Sequence, residues 1–524
     1  MKLTKQFGQR LYWISISMLL HPPNFSTGMR EATSLHSNRL TSSIAFASLG
    51  TNREEQQEQQ QRLVLIGGGH AHVQVIKALN KASRPADLKV TLIDCQKSAS
   101  YSGMVPGTIA GVYQPEDTLL HLEPLADWAG IEFIHQKVVD IDIDNNLIFL
   151  ENDVDNPIAY DALSLDIGST SRGLAETTGA MQHTIPTRPI ADLVRKLQDE
   201  SERLQEDPRP AHVVVVGGGA AGTELSMSVK GRWSPILGDD NVHVTVLDAN
   251  EQLLPSESTA SRQALVSTLK DRGIQVLHGC TVREIHANTL SLTTGEQLSF
   301  THCLWATGAG AHDVAFRLGN RGLAISKQGW IRVNSYLQSV SHPNIFAAGD
   351  CCTMEGLEKG APPKAGVYAV RSGPILIENL TKILDSEKRS SLVPYKPQDD
   401  YMKLMVCGDG TAIGFRFGIA FQGKWVFDLK DEIDKGFMDL FKVENLPELK
   451  EGQPYDTTQY DNDSKRQRPE PLPPVEAAQL LQRTDDAVDF RLAWSILRHM
   501  DRDQEYRQQV LQTMPSANSD RLTT

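Results

Sequence analysis

Two glycine-rich turns, each placed between an apolar strand and an amphipathic helix, constrain the fold of this 524-residue chain more than any other feature. The turn in HVVVVGGGAAGTELSMSV, residues 212–229, has Gly217, Gly219 and Gly222 at GxGxxG spacing. In that spacing the first glycine makes the tight turn, the second lets the backbone approach a pyrophosphate, and the third lets helix and strand pack closely. The following helix offers N–H groups and a positive dipole end to the phosphates. The segment therefore predicts a dinucleotide-binding turn.

A similar unit begins earlier, in LVLIGGGHAHVQVIKAL at 63–79, but its turn departs from the pattern. Gly67 and Gly69 occupy the first two glycine positions, whereas His72 stands where the third is expected and His70 lies at the helix start. Imidazole is too large for the usual close contact between helix and strand. We therefore expect His72 to point away from that contact, or the helix to lie farther from the strand.

Each unit also contains a second strand that ends in an acid, Asp94 in LKVTLIDCQ and Asp248 in VHVTVLDAN. A carboxylate at this position accepts hydrogen bonds from the ribose hydroxyls and repels a 2′-phosphate. The chain is therefore predicted to bind two dinucleotides, and Asp248 favours NADH over NADPH at the second site. The predicted fold class is α/β, with two Rossmann-like dinucleotide-binding domains, a small α+β C-terminal domain and a helical tail.

The charge balance and the cysteine spacing exclude other classes of protein. Lys and Arg number 52 against 65 Asp and Glu, which argues against nucleic acid as the main partner because phosphate binding needs clustered positive charge. The six cysteines show no CxxC spacing, so they are interpreted mostly as buried thiols and no metal site is predicted. Outside the N-terminus no stretch is apolar enough to span a bilayer.

The first 52 residues have the composition of a targeting segment, with scattered basic residues, an apolar LYWISISMLL and a Ser/Thr-rich stretch. A signal peptide followed by a plastid transit segment, a mitochondrial presequence and a short membrane anchor all fit this composition. Import into an organelle, plastid or mitochondrion, is the favoured interpretation. Residues 53–61 are predicted to be a solvated linker.

Three further segments resemble the pyridine nucleotide–disulfide oxidoreductase superfamily, flavoproteins with two dinucleotide folds. They are YDALSLDIGS (160–169), CLWATGAG (303–310) and NIFAAGDCC (344–352). The resemblance covers about residues 62–385. It implies that Asp350 binds the ribityl chain of FAD, that Gly349 lets the backbone approach that chain, and that Gly308 is among the cofactor-binding residues.

The order of these segments implies an FAD-binding domain in two pieces with an NAD(H)-binding domain inserted between them. The predicted ranges are 62–185 and 302–385 for FAD, 186–301 for NAD(H), 390–450 for the C-terminal α+β domain and 475–524 for the helical tail. The polar, Pro-rich residues 451–474 are predicted to form a linker.

Disulfide reduction by the superfamily's usual route is excluded, since the region that carries CxxxxC there reads SASYSGMVPGTIAG. A narrower resemblance, carried by GGGHAHV, YSGMVPG and PPKAGVYAVRSGP (362–374), is to type II NADH dehydrogenase-like flavoproteins that elsewhere are fused to a selenide,water dikinase. Type II NADH dehydrogenases reduce quinones and carry an AQxxxQ motif on the quinone side. Here Ala365 is retained, but Gly366 and Val370 replace the glutamines, which leaves a non-quinone acceptor open.

Two residues are predicted to act beside the cofactors. Lys364 stands at the start of a predicted helix whose dipole would stabilise the reduced flavin, anionic at N1, and Lys364 would add a full charge; an exposed first-turn lysine is the alternative. Glu224, two residues beyond the second glycine turn, stands where related flavoproteins have an acid near the nicotinamide. The alternative is a carboxylate that serves only the helix dipole.

One of the two histidines, His70 or His72, is predicted to contact the FAD pyrophosphate or to close the acceptor pocket, because an imidazole N–H donates hydrogen bonds. The alternative is that both are tolerated polar residues near the mouth of a cofactor site. Hydride transfer from NADH to flavin N5 needs no proton donor from the protein, so direct acid–base chemistry is not favoured.

The C-terminal domain alternates like strands from residue 400 to about 427 and then takes a helical pattern. Its large apolar residues, interleaved with lysines, suit contact with a membrane surface, although a domain or dimer interface would carry the same stripe. This apolar stripe comprises Trp425, Phe427, Phe437, Met438, Leu440 and Phe441.

Together these features predict an organellar FAD-dependent NADH dehydrogenase that passes electrons from NADH through FAD to an acceptor, with a quinone as the first candidate. A homodimer and peripheral membrane contact are compatible with the sequence. Two alternatives stay open. One is a soluble oxidoreductase with a non-quinone acceptor, linked to selenium metabolism; the other is a redox-sensing flavoprotein subunit.

Overall fold

The computed structural model describes residues 60–385, 387–450 and 469–514. The predicted targeting segment, most of the linker 53–61, the linker residues 451–468 and the last ten residues of the tail lie outside the described residues.

A five-stranded parallel sheet contains the first glycine turn. In spatial order its strands are Ile345–Ala347, Ala162–Leu165, Gln61–Ile66, Leu88–Asp94 and Glu132–His135. The buried residues of these strands are mostly Val, Leu and Ile, as expected for a parallel sheet covered on both faces, whereas the edge strand Glu132–His135 is only partly buried. The turn follows the central strand and opens the helix His72–Ala78.

A second five-stranded parallel sheet contains the other turn. In spatial order its strands are Ile185–Pro186, His302–Trp305, Ala211–Val216, Val242–Leu247 and Ile274–Leu277. Two such sheets confirm the α/β fold class. The strand His302–Trp305 belongs to this second sheet, although the sequence-based boundary put residues from 302 onward in the FAD domain; its partner is the strand that enters the glycine turn.

Smaller antiparallel sheets and helices surround the two parallel sheets. The three-stranded sheets are Val138–Asp142, Leu147–Leu150 and Asp153–Ala159, then Val282–Ile285, Thr289–Leu292 and Gln297–Ser299. The two-stranded pairs are Ser98–Ser100 with Leu119–His121, Thr170–Ser171 with Ala309–Gly310, and Ile331–Val333 with Cys352–Met354. The helices of this part are His72–Ala78, Val105–Ile109, Leu122–Ala129, Ala180–His183, Ile190–Glu206, Ala220–Leu237, Thr259–Asp271, Asp313–Asn320 and Gly366–Leu384.

The C-terminal domain is an antiparallel sheet followed by one long helix. Its strands are Lys403–Val406, Ala412–Arg416 and Ile419–Gly423, and its helix is Lys424–Asp439. The strand pattern therefore ends four residues earlier than the sequence predicted. Three tail helices, Pro474–Gln482, Phe490–Arg502 and Gln504–Thr513, pack on this domain.

The apolar stripe of the C-terminal helix lies inside the protein. Phe427 is partly buried, and the other five members are at most 5% exposed. Phe437 and Phe441 pack in the same core cluster as the first sheet, and the Lys77 ammonium donates to the Leu440 carbonyl at 2.8 Å. The stripe is thus a domain interface, which was the alternative to membrane contact. In the part of the chain that the structure describes, every helix is too short or too polar to cross a membrane.

The helix Ala220–Leu237, which follows the second glycine turn, is fastened to the C-terminal sheet at two points. The Glu224 carboxylate accepts a 2.7 Å hydrogen bond from the Val406 amide. Two turns further on, Gly231 lies so close to the carbonyl of Gly408 that a Cβ at position 231 would overlap it. The helix and the sheet therefore meet backbone to backbone.

Candidate functional site

The first glycine turn is built around a buried carboxylate, Asp166, that the sequence reasoning missed. Gly67 has a left-handed φ of +89°, and a Cβ there would lie 2.5 Å from the Asp166 carbonyl oxygen. A Cβ on Gly69 would overlap the Asp166 carboxylate itself. That carboxylate accepts hydrogen bonds from the amides of Ala71 at 2.8 Å and His72 at 3.1 Å. The signal was visible in YDALSLDIGS, where a single acid follows four buried strand residues.

Asp166 has an unusual ionisation. Burial raises its pKa to about 7, against the two amide hydrogen bonds, and the charges of Asp350 and Asp94 raise it further. Gly349, with a φ of +70°, packs on the same group, because a Cβ there would lie 2.6 Å from Asp166 Oδ1. Three carboxyl groups, two of them predicted to bind the cofactor, therefore surround this turn.

His72 braces the turn from inside the protein. Its Nδ1 lies 2.6 Å from the Gly67 carbonyl oxygen, its Nε2 lies 2.8 Å from Ser164 Oγ, and the side chain is fully buried. Burial lowers the pKa of the ring to about 4. A neutral imidazole has one donor and one acceptor, so Nδ1–H donates to Gly67 and Nε2 accepts from the Ser164 hydroxyl. This geometry corrects the assignment of His72 to the cofactor-binding residues.

We expect His72→Gly, which restores the glycine of the motif, to lower the free energy of unfolding by about 2 kcal/mol or more. The substitution leaves a cavity and two buried polar groups without partners. Thermal unfolding of the FAD-loaded protein measures the change, and the exposed residue His286 provides the control substitution His286→Gly. An unchanged midpoint for His72→Gly would contradict the bracing role.

The His70 side chain lies between the first glycine turn and the helix Lys424–Asp439 of the C-terminal domain. Its ring lies edge-on to Tyr101 with centroids 5.3 Å apart, and 6.0 Å from the ring of Phe437. Burial lowers its pKa to about 4, although the charge of Asp350 opposes this. Its Nε2 is buried and has no hydrogen-bond partner among the described residues. The Nε2 atom of neutral His70 is thus available for a hydrogen bond with a bound group.

The two acids predicted to hold FAD lie at the carboxyl edge of the first sheet. Asp350 accepts from Ser169 Oγ at 2.9 Å and pairs with Arg188 at 3.4 Å. Asp94 accepts from the amides of Gly68 at 2.6 Å and Gln96 at 2.7 Å, and burial raises its pKa. Both stand next to the glycine turn, and with the unpartnered nitrogen of His70 they fit the needs of an FAD molecule.

The second turn has the geometry of a nucleotide site. Gly217 has a φ of +121°, and added Cβ atoms at Gly217 and Gly222 would overlap the carbonyl oxygens of Ala306 and Gly217. A Cβ at Gly219, in contrast, would meet no protein atom within 4 Å. The first and third glycines are thus required by the protein, whereas the second faces open space.

Asp248 and Gly308 complete this second site. Asp248 Oδ1 accepts two hydrogen bonds from Asn250, at 3.0 and 3.1 Å. Its buried Oδ2 has no hydrogen-bond partner among the described residues, with His278 Nδ1 3.9 Å away. An unpartnered carboxylate oxygen fits a ribose hydroxyl. Gly308, with a φ of +102°, follows the strand His302–Trp305 and accepts from the Arg172 amide at 3.0 Å.

Glu224 lies near the start of the helix Ala220–Leu237, whereas Lys364 lies just before the helix Gly366–Leu384. Burial raises the pKa of Glu224 to about 7, which the neighbouring Lys430 opposes. Lys364 precedes the helix Gly366–Leu384, donates to the carbonyl oxygen of Cys352 and lies 4.2 Å from the centre of the Trp330 ring. Lys364 is thus fixed beside the loop of Asp350, and its role toward flavin N1 stays a prediction.

A cavity of about 300 Å³ is lined by residues of both dinucleotide folds, the C-terminal domain and the tail. From the first sheet's side it is lined by Tyr101, and from the second by Glu224. Ala365, Gly366 and Val370, the residues at the place of the AQxxxQ motif, also line it. The remaining wall comes from the C-terminal domain and the tail. The structure therefore places the AQxxxQ positions, which the sequence connected with the electron acceptor, in one cavity with Glu224, which it connected with the nicotinamide.

These features define a protein with two dinucleotide-binding folds, each of which contributes residues to one cavity. A family model described as pyridine nucleotide-disulphide oxidoreductase matches residues 61–373. The chain belongs to this family.

Known proteins share the same architecture. A type II NADH:quinone oxidoreductase of Staphylococcus aureus is 22% identical over 389 residues, which are 71% of this chain and 93% of that protein. The structure of NDH2 from Plasmodium falciparum in complex with NADH superposes with a TM-score of 0.62 at 13% identity, over 75% of this chain and all of that one. The sulfide:quinone oxidoreductase of Aquifex aeolicus has a TM-score of 0.61 at 20% identity, over 74% and 92% of the two chains. At these identities the structural likeness establishes the fold.

Proposed function

We propose that this protein is an FAD-dependent NADH dehydrogenase that passes electrons from NADH to a quinone. The observation that carries the proposal is the position of the cavity. Glu224, on the helix that leaves the second glycine turn, and Tyr101, in contact with His70 of the first turn, line the same space. A donor site and an acceptor site on either side of one cofactor are what such a reaction needs. The names of the relatives support the same activity.

The residues of the chain have separate parts in this reaction. FAD, when bound, supplies the hydride-accepting and electron-donating chemistry. Asp350 and Asp94 would hold it at the edge of the first sheet, and Asp248 Oδ2 would accept a hydrogen bond from a ribose hydroxyl of NADH. Reduction of a quinone to a quinol also consumes two protons. Glu224 holds a proton at the cavity near neutral pH, because its pKa is raised to about 7.

The second candidate for the acceptor is a soluble, non-quinone molecule. Gly366 and Val370 stand in the cavity wall at the positions of the two motif glutamines, so the wall lacks their amides. A role in selenium metabolism belongs to this candidate, since it rests on the resemblance to proteins fused to a selenide,water dikinase.

The deciding experiment uses residues 54–524 purified with bound flavin and mixed anaerobically with NADH or NADPH. We expect NADH to bleach the flavin absorbance faster than NADPH, and a short-chain ubiquinone or plastoquinone analogue to restore it. Bleaching without reoxidation by any quinone would favour a soluble acceptor. Bound FAD that NADH does not reduce would favour a redox-sensing subunit.

We also propose that the protein is imported into a plastid or mitochondrion, which the composition of residues 1–52 supports. Fusion of residues 1–60 to a fluorescent protein tests this, and diffuse fluorescence would contradict it. The homodimer and the peripheral membrane contact stay predictions; the buried stripe of the C-terminal helix does not support the contact.

A further inference from the structure

The tail of the chain forms part of the cavity wall. The helix Phe490–Arg502 contributes Trp494, Leu497 and Asp501 to the lining. Trp494 is 7% and Leu497 2% exposed, so both are packed against the body of the protein. The family match ends at residue 373, more than one hundred residues before this helix. This wall is therefore a feature of the chain outside its family core.

The tail is fastened to the C-terminal domain beside the cavity. Leu481 and Trp494 share a core cluster with Trp425, and Trp425 Nε1 donates to the Arg483 carbonyl oxygen at 2.9 Å. The side chain of Asp489 caps the helix Phe490–Arg502 by accepting from the Arg491 amide at 2.9 Å. The cavity wall is thus held by apolar packing and by directed hydrogen bonds.

One end of the cavity is rich in charge. Arg371, the residue after Val370, and Arg416, at the end of a C-terminal strand, both line it. Asp501 of the tail pairs with Arg416, which also lies 3.1 Å from Asp400. Burial lowers the pKa of the Arg371 guanidinium, and the charge of Arg416 lowers it further while that of Asp501 opposes this. Two guanidinium groups and one tail carboxylate therefore line the same cavity as Gly366 and Val370, the residues at the positions of the two motif glutamines.

Other ionisable side chains face the same cavity from the elements around it. They are Tyr101, Glu224, Tyr401, Lys403, Lys430 and Asp434. Lys430 donates to Asp434 at 2.7 Å and Lys403 pairs with Glu257 at 3.0 Å. Lys430 and Lys403 are thus each paired with a carboxylate, as Arg416 is with Asp400 and Asp501.

We propose that the tail helix selects the electron acceptor. Trp494 and Leu497 limit the size of the ring that enters. Arg371 and Arg416, the latter positioned by its ion pair with Asp501, donate hydrogen bonds to the carbonyl oxygens of that ring. A quinone oxygen only accepts hydrogen bonds and gains negative charge during reduction, so guanidinium groups suit it in place of the missing amides. The acceptor is a one- or two-ring quinone head group. This inference rests on the proposed function, because it assumes that the cavity holds the acceptor.

The size argument is tested by Leu497→Ala, with Leu481→Ala as the matched control. Both leucines are buried in the tail cluster, at 2% and 1% exposure, but only Leu497 lines the cavity. We expect Leu497→Ala to shift kcat/KM toward a bulkier naphthoquinone relative to a one-ring ubiquinone analogue by at least about 5-fold. Leu481→Ala should leave the ratio unchanged. Equal ratios in both variants and the wild type would overturn the proposal.

The charge argument is tested by Arg371→Met, Arg371→Lys and Asp501→Asn. We expect Arg371→Met to raise KM for the quinone by about 10-fold or more, with Arg371→Lys between it and the wild type, since lysine keeps the charge without the planar fork. Asp501→Asn, the change at the positioning residue, should raise KM more than it lowers kcat. Unchanged KM values in all three variants would overturn this part of the proposal.

Anaerobic bleaching by NADH is measured in every variant, since it does not involve the acceptor. Unaltered bleaching, in a variant that is still fully folded at the assay temperature, shows that a shift in KM or in kcat/KM comes from the acceptor site. A wild type that no quinone reoxidises means that the proposed function is wrong and this inference with it. A wild type that turns over with quinones, beside variants that show no shift, overturns this inference alone.

Discussion

Replacement of Gly222 by alanine is expected to reduce the rate of flavin bleaching at a fixed low NADH concentration by roughly 100-fold, which corresponds to about 3 kcal/mol. The added Cβ would overlap the carbonyl oxygen of Gly217 inside the same turn. Neither backbone segment can yield without moving the helix away from the strand, which displaces the N–H groups that face the pyrophosphate.

Gly219→Ala is the matched variant in the same turn, and it should weaken NADH binding without displacing the helix. A Cβ at this position meets no protein atom within 4 Å, so stability and FAD content should stay as in the wild type. The open space is where the pyrophosphate approaches the backbone, so the NADH concentration for half-maximal bleaching should rise by about 10-fold. Stopped-flow bleaching against NADH concentration measures both variants. Normal kinetics in Gly222→Ala would show that NADH binds elsewhere.

The second large effect is expected from Asp166→Asn, which should make the protein more stable than the wild type at pH 8 by about 2 kcal/mol and not at pH 4. The folded-state pKa of Asp166 is raised to about 7 from an ordinary value of 3.8. The unfolded chain therefore releases this proton near pH 4 and the folded chain near pH 7, so the wild type loses stability as the pH rises between these values. The full difference between the folded and unfolded pKa corresponds to about 4 kcal/mol of stability. We expect a smaller effect because the folded protein relaxes around the charged carboxylate.

Asparagine suits this test because both amides, of Ala71 and His72, donate to the same carboxylate oxygen, Oδ2. The amide oxygen of asparagine can accept both bonds without a charge. Urea unfolding of the flavin-free protein at several pH values measures the change, with the exposed residue Asp144 substituted as Asp144→Asn for the control. A variant that is less stable by the same amount at every pH would contradict a proton on Asp166, since it would mean that the ionised carboxylate holds the turn together.

Sequence patterns predicted the two parallel sheets because each turn stands between a buried strand and a helix, a local arrangement that spacing reports directly. The same patterns did not predict that His72 and Asp166 belong together. The two residues are 94 positions apart, and their partnership exists only because the strand Ala162–Leu165 pairs with Gln61–Ile66. A histidine in place of a glycine indicates an altered turn without indicating what the ring touches.

The apolar stripe of the C-terminal helix illustrates a second limit. Large apolar residues at helical spacing require a covering, and the sequence left a membrane, a partner and the protein itself as candidates. The covering is internal, through Phe437 and Phe441 toward the first sheet and Trp425 toward the tail. Charge and composition did not discriminate between these cases, because long-range packing decides which face is covered.

The helix Ala220–Leu237 connects the second glycine turn with the wall of the cavity. It starts at the nucleotide turn, yet Glu224 and Gly231 contact Val406 and Gly408, which follow the cavity-lining residue Met405. At Gly231 and Gly408 the contact is backbone to backbone, so no flexible side chain lies between the two segments to absorb a displacement. A shift of this helix on binding of the nucleotide would therefore also displace the strand Lys403–Val406, of which Lys403, Leu404 and Met405 line the cavity. We therefore expect the affinity of the cavity for the acceptor to depend on whether the nucleotide is bound.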